Sequence, residues 1–154
     1  MRAFARLAPR TLSVALSGGE PFLDRVPFRE VLKGLTCMEH VACIRCDTNG
    51  TWHASEFDGV EWGKVAVDVS YHPEMVGLDR FVESVREKLS AGVRIVMVNY
   101  VMHPDRPDAF LRLKERMDEL GLFTNANVYQ GPLRQSERGR ALSTSHWCRR
   151  STSP

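Results

Sequence analysis

Apolar residues along this chain follow two alternating rhythms. Short runs rich in apolar and β-branched residues occupy positions 12–17, 41–46, 64–70, 94–101 and 124–129, and each predicts a strand. Between them, apolar residues fall three and four apart. Phe28, Val31, Leu32 and Leu35 predict a helix over 22–35, with Pro27 suited to its first turn. Phe81, Val82, Val85 and Leu89 predict a second helix over 81–89, ended by Ala91-Gly92. Phe110, Leu113, Met117 and Leu120 predict a third over 107–120, followed by Gly121. The run at 94–101 is almost continuously apolar, as expected of a parallel strand covered on both faces.

Strand–helix units repeating about every 30 residues imply a parallel sheet with right-handed crossovers. The expected fold class is therefore α/β, and five strands fit an incomplete parallel (β/α) barrel or a small open sheet. Beyond Pro132 the periodicity dissolves into Arg, Ser and Thr. Residues 1–133 read as one domain, and 134–154 as a basic tail that is expected to be disordered.

Composition narrows the class. A chain of 154 residues with 43% hydrophobic and 26% charged residues matches an ordinary globular domain. No apolar run approaches the roughly 18 residues that span a bilayer, so no membrane partner is expected. The start, MRAFARLAPR, lacks the apolar stretch of a secretory signal. A truncated helix is preferred there to a transit peptide, and the expected location is cytoplasmic. The sequon Asn49-Gly50-Thr51 is then expected to remain unmodified. Net charge is only +2, which gives no argument for nucleic acid. Three Arg and no acid lie in residues 1–19, and five Arg with one acid in 130–154. The tail has a single aromatic, Trp147, and reads as solvated rather than as a phosphate-binding arm. The four cysteines, 37, 43, 46 and 148, are expected to be reduced.

In a parallel α/β sheet, ligands gather at the C-terminal ends of the strands. Every predicted strand here ends in polar, turn-forming residues. Ser17-Gly18-Gly19-Glu20-Pro21 follows the first. Its glycines permit a sharp turn and close approach, and its carboxylate is an acceptor suited to an amino group. By itself a Gly-Gly pair is more often just a turn. Asp47-Thr48-Asn49-Gly50 follows the second strand and is a strong turn signal. Asp68 lies inside the third strand, where burial demands a partner, and Ser70, Tyr71 and His72 follow. Asn99, Tyr100 and His103 close the fourth, and Asn125, Asn127 and Gln130 the fifth.

These residues in this order resemble the radical S-adenosylmethionine (radical SAM) superfamily. Ser17-Gly18-Gly19-Glu20-Pro21 looks like that family's GGEP motif, and Thr48-Asn49-Gly50 like its TNG segment. Val67-Asp68-Val69-Ser70 looks like the strand that supplies ribose contacts. The resemblance spans roughly residues 10–130. It implies a partial (β/α)6 barrel, S-adenosylmethionine as cofactor, and an iron–sulfur cluster that cleaves it reductively to start hydrogen abstraction from a substrate. It further implies that Gly18, Gly19 and Glu20 hold the methionine amino group, with Pro21 shaping the turn. Asp68 and Ser70 would approach the ribose, and Asn49 would shape the site more than touch ligand. A reductase such as ferredoxin or flavodoxin would serve the intact enzyme. The substrate itself cannot be read from the sequence.

One departure is decisive for chemistry. The CxxxCxxC that binds the cluster is absent from the sequence, and no Cys precedes Ser17. Three thiolates cannot be replaced casually. The expectation is therefore a fragment of a radical SAM enzyme, inactive alone, with residues 2–10 as the remnant of a helix. The alternatives are a non-catalytic barrel that still binds S-adenosylmethionine or a nucleoside, and an unrelated phosphate-binding α/β enzyme using Gly18-Gly19. Cys37, His40, Cys43 and Cys46 are spaced like metal ligands. An offset of three along a strand, however, sends Cys43 and Cys46 to opposite faces, and core cysteines are the preferred reading. No metal ligand is assigned. His72-Pro73 and His103-Pro104 read as surface loops.

Overall fold

The alternation of strand and helix seen in the sequence is what the chain builds. The computed structural model describes residues 10–102 and 108–128, together with Leu7. The expectations for the helix remnant at the start, for His103, Tyr129 and Gln130, and for the 134–154 tail lie outside the described residues. The order is β1 (Leu12–Leu16), α1 (Arg25–Thr36), β2 (Val41–Thr48), 3-10 turns at Ala54–Phe57 and Trp62–Lys64, β3 (Val65–Tyr71), α2 (Leu78–Ser90), β4 (Arg94–Met102), α3 (Asp108–Asp118) and β5 (Thr124–Val128).

The five strands form one open, all-parallel sheet in the order β1-β2-β3-β4-β5. Sequence order and spatial order coincide, without the reversal that marks a doubly wound sheet. All C-terminal strand ends therefore share one edge. Along β2 and β3, alternate residues face a single core cluster. Ile44 and Cys46 from β2, and Val65, Val67, Val69 and Tyr71 from β3, pack there with Leu32 and Leu35 of α1, Phe81, Val82 and Val85 of α2, and Leu113 and Met117 of α3. This is the outer, helix-covered face. The opposite, inner face carries Ser13, Ala15, Arg45 and Asp47, which are exposed.

Three expectations need correction. β4 is not covered on both faces: Val96 is 49% exposed, beside a register shift in the β3–β4 pairing. Its long apolar run reflects that irregularity, because the bulge takes one residue out of the alternation. β2 runs two residues further than its apolar stretch, since Asp47 and Thr48 still pair with Asp68 and Val69. The first helix starts at Arg25, not at Phe22. Phe22 instead stacks on Trp52 at 4.2 Å between ring centres, within a cluster that includes Phe28, Phe57 and Trp62. That aromatic plug gives the 52–64 segment a place in the core.

Candidate functional site

The turn after β1 is built on two left-handed residues. Gly18 has φ 104° and Gly19 φ 62°, values that side-chain-bearing residues rarely adopt. A Cβ at either position would meet nothing within 4 Å, so the space above both peptides is open. Glu20 and Leu23 then close a tight turn, the Leu23 N–H donating to the Glu20 carbonyl at 3.1 Å. Pro21 occupies the second position of that turn, where its fixed φ is an advantage.

The Glu20 side chain turns across to the end of β2. Its Oε1 accepts from the Phe22 N–H at 3.1 Å and from the Thr48 hydroxyl at 2.7 Å. Its Oε2 accepts from the Asn49 N–H at 2.6 Å. A carboxylate offers about four acceptor positions, so these three donors leave one for a ligand.

Thr48 is the hub of the loop. Besides bonding Glu20, its hydroxyl oxygen accepts from the Gly50 N–H at 3.1 Å and the Trp52 indole N–H at 3.2 Å. Asn49 uses its side-chain oxygen locally, accepting from the Thr51 N–H and hydroxyl at 3.0 and 2.7 Å. Its amide therefore shapes the turn, and its backbone N–H makes the contact to Glu20. Behind the loop, α2 holds it from outside. The Ser84 hydroxyl donates to the Gly50 carbonyl at 2.9 Å, and the buried Lys88 ammonium donates to the Trp52 carbonyl at 2.6 Å and to the Ser84 hydroxyl at 2.7 Å. Burial pushes the Lys88 pKa below the usual lysine value, opposed by the neighbouring Glu87. A cleft of about 440 Å³ lies between this loop and α2, lined by Thr51, Trp52, Val76, Arg80 and Phe81 among others. It is on the outer side, and the inner sheet face is not part of it.

On the inner face, Asp68 of β3 is 1% exposed and is held by Arg45 of β2. The Arg45 Nε donates to Asp68 Oδ2 at 2.7 Å, and its Nη2 donates to the same oxygen. The carboxylate in turn raises the Arg45 pKa further, through that hydrogen bond and its charge. Asp68 Oδ1 is buried and has no hydrogen-bond partner among the described residues. Ser70 stands two residues on, half-buried and paired in register with Asn99. Val69, which pairs with Thr48, lies between Asp68 and Ser70.

The Glu20 carboxylate thus ties the turn that holds Gly18, Gly19 and Pro21 to Thr48 and Asn49. The structure sets Asp68 and Ser70 on the neighbouring strand, with no bond to the first group. Thr48 lies within the Thr48-Asn49-Gly50 segment, but its bond to Glu20 has no local sequence signal. The sequence reading also passed over Arg45, whose signal was a lone cation at an inward strand position. The amide cluster of Asn99, Asn125 and Asn127 was noted only as polar strand ends.

An iron–sulfur cluster does not fit the residues described. No group of three or more His, Cys, Asp or Glu side chains among them is placed to hold a metal ion. Cys37 is exposed beyond α1, Cys43 half-buried and Cys46 buried. Burial, with the nearby Asp47, pushes the Cys46 thiol up to about 12. Comparison with family models, with curated proteins and with solved structures gives no match to this chain.

Proposed function

We propose that this chain is the S-adenosylmethionine-binding part of a radical SAM enzyme, with its open sheet forming part of that family's barrel. The observation that carries the reading is the Glu20 carboxylate. Three donors from two strand ends fix it beside an open Gly18-Gly19 turn, with one acceptor position left. An α-ammonium group is a donor of matching charge and size. The left-handed peptides of the turn let the rest of the methionyl group come close to the backbone. On β3, half-buried Ser70 carries a hydroxyl that would bond a ribose hydroxyl. The strand order, without reversal, also agrees with barrel winding.

The role assigned to these 154 residues is binding and orientation. Reductive cleavage would draw its electron from an iron–sulfur cluster, for which the described residues offer no ligand group. S-adenosylmethionine binding to the full chain, measured by calorimetry, tests the proposal. Glu20→Gln should weaken S-adenosylmethionine by roughly tenfold or more, the cost of losing a charge-assisted bond. Methylthioadenosine, which has no amino acid group, should bind both forms alike. No binding of S-adenosylmethionine at millimolar concentration, or an equal loss for both ligands, would refute it.

A further inference from the structure

The inner face of β4 and β5 carries three asparagines where a strand favours β-branched and aromatic residues. Asn99 is 9% exposed, and Asn125 faces it in register on β5. Asn127 lies two residues further along, so its side chain returns to the same face. The three amides are bonded together. Asn125 Nδ2 donates to Asn99 Oδ1 at 3.2 Å and to Asn127 Oδ1 at 2.9 Å, and Asn127 Nδ2 donates to Asn99 Oδ1 at 3.1 Å.

The network locks the orientation of each amide. Within the triad it occupies both Asn125 N–H donors and leaves the Asn99 NH2, one Asn127 N–H and the Asn125 Oδ1. Donors and an acceptor therefore stand side by side in a fixed arrangement. The row continues into Ser70, which pairs with Asn99. All four side chains are neutral. The nearest charged pair placed by the register is Arg45 and Asp68, whose charges offset each other. Residues that break local strand preference while forming an ordered polar array are a mark of function rather than of folding.

We infer that this amide triad binds a neutral planar group with adjacent hydrogen-bond donor and acceptor, a carboxamide or a nucleobase edge, on the substrate. An N–H of Asn99 or Asn127 and the Oδ1 of Asn125 together offer such an edge one donor and one acceptor. A carboxylate offers only acceptors and finds the Asn125 oxygen against it. An ammonium offers only donors and meets the Asn99 and Asn127 N–H groups. The inference rests on the inner face being the ligand-bearing face, as proposed above, and does not require S-adenosylmethionine itself.

The test uses the full chain labelled with nitrogen-15 and titrated with nicotinamide and L-glutamine against their carboxylate counterparts nicotinate and L-glutamate, and with uridine. The expected result is movement of the Asn99, Asn125 and Asn127 side-chain NH2 signals by at least one neutral probe, with about tenfold preference over its carboxylate counterpart where one exists. Nicotinamide or glutamine alone identifies a carboxamide, and uridine alone a nucleobase. Asn127→Ala, at an exposed position, should weaken that probe severalfold with no change in melting temperature. Asn125→Leu should abolish it. Titration of the same labelled chain with S-adenosylmethionine is a separate measurement, so failure of S-adenosylmethionine binding and failure of this inference are separate results. No shift of those signals with any neutral probe, equal binding of the carboxylates, or undiminished binding by Asn127→Ala and Asn125→Leu overturns the inference.

Discussion

Replacing Lys88 with Met tests whether α2 truly holds the loop that presents Glu20. The Lys88 side chain is fully buried. Its ammonium donates to the Trp52 carbonyl, the Ser84 carbonyl and the Ser84 hydroxyl at 2.6, 3.3 and 2.7 Å. It lies 4.7 Å from the Trp52 ring centre and 3.6 Å from Glu87 Oε2, an oxygen with no other hydrogen-bond partner among the described residues. Methionine keeps the apolar stem and removes every one of these contacts. The Trp52 carbonyl is then orphaned in the core, at about 1–3 kcal/mol. The lost cation–π contact adds about 1 kcal/mol. Relief of the buried ammonium returns part of this. The expected net loss is about 1–3 kcal/mol, read as a lower urea midpoint with an unchanged m-value. The pH dependence is a second reading. The folded pKa of Lys88 lies below its unfolded value, so the unfolded chain binds more protons between the two. Wild-type stability should therefore rise relative to Lys88→Met as pH climbs towards the ordinary lysine value near 10.4. A variant within about 0.5 kcal/mol of wild type would refute the clamp, and a stability difference that narrows with rising pH would refute the lowered Lys88 pKa.

Two further outcomes follow from the same loop and sheet. Gly50→Ala should destabilise by about 2 kcal/mol or more, because φ is +73° and the new Cβ would meet Val69 Cγ1 at 2.9 Å; chemical denaturation measures it, and a neutral result would show that the loop can move away from β3. Cys46 should resist alkylation at pH 8 in the folded protein while exposed Cys37 reacts, since burial holds the Cys46 thiol at about 12; peptide mapping by mass spectrometry locates the label, and early modification of Cys46 would mean that β2 opens.

The strand–helix alternation was legible because each element repeats its own period: Val65, Val67, Val69 and Tyr71 by twos, Leu113 and Met117 by fours. Positions of the elements came out within a few residues. What stayed hidden depends on partners distant in sequence. Nothing local says that Thr48 will continue a strand, because its place is fixed by Val69 across the sheet and Glu20 beyond β1. Phe22 sits in a helical pattern, yet Trp52 recruits it into an aromatic stack. The long run at 94–101 suggested two covered faces, because a bulge hides the alternation. Polar residue types at the strand ends were legible, Glu20 and Asp68 among them. Their partners were not. Arg45 is 23 residues from Asp68 and only the register of β2 on β3 brings them together.

The two faces of the sheet divide the labour. The outer face is closed by three helices and an aromatic plug, so its residues answer to packing. In a filled barrel the inner face would be packed just as tightly, with layers of bulky branched side chains. Here it carries Arg45, Asp68, Ser70, Asn99, Asn125 and Asn127 instead. A carboxylate buried on that face is costly, and one cation bonding one of its two oxygens answers only half of the demand. Three amides in one network cost strand propensity as well. Neither arrangement is explained by stability, because apolar residues at the same positions would serve the sheet better. Both are explained if the inner face is finished by polar ligands, one anchored at Glu20 and another read by the amides.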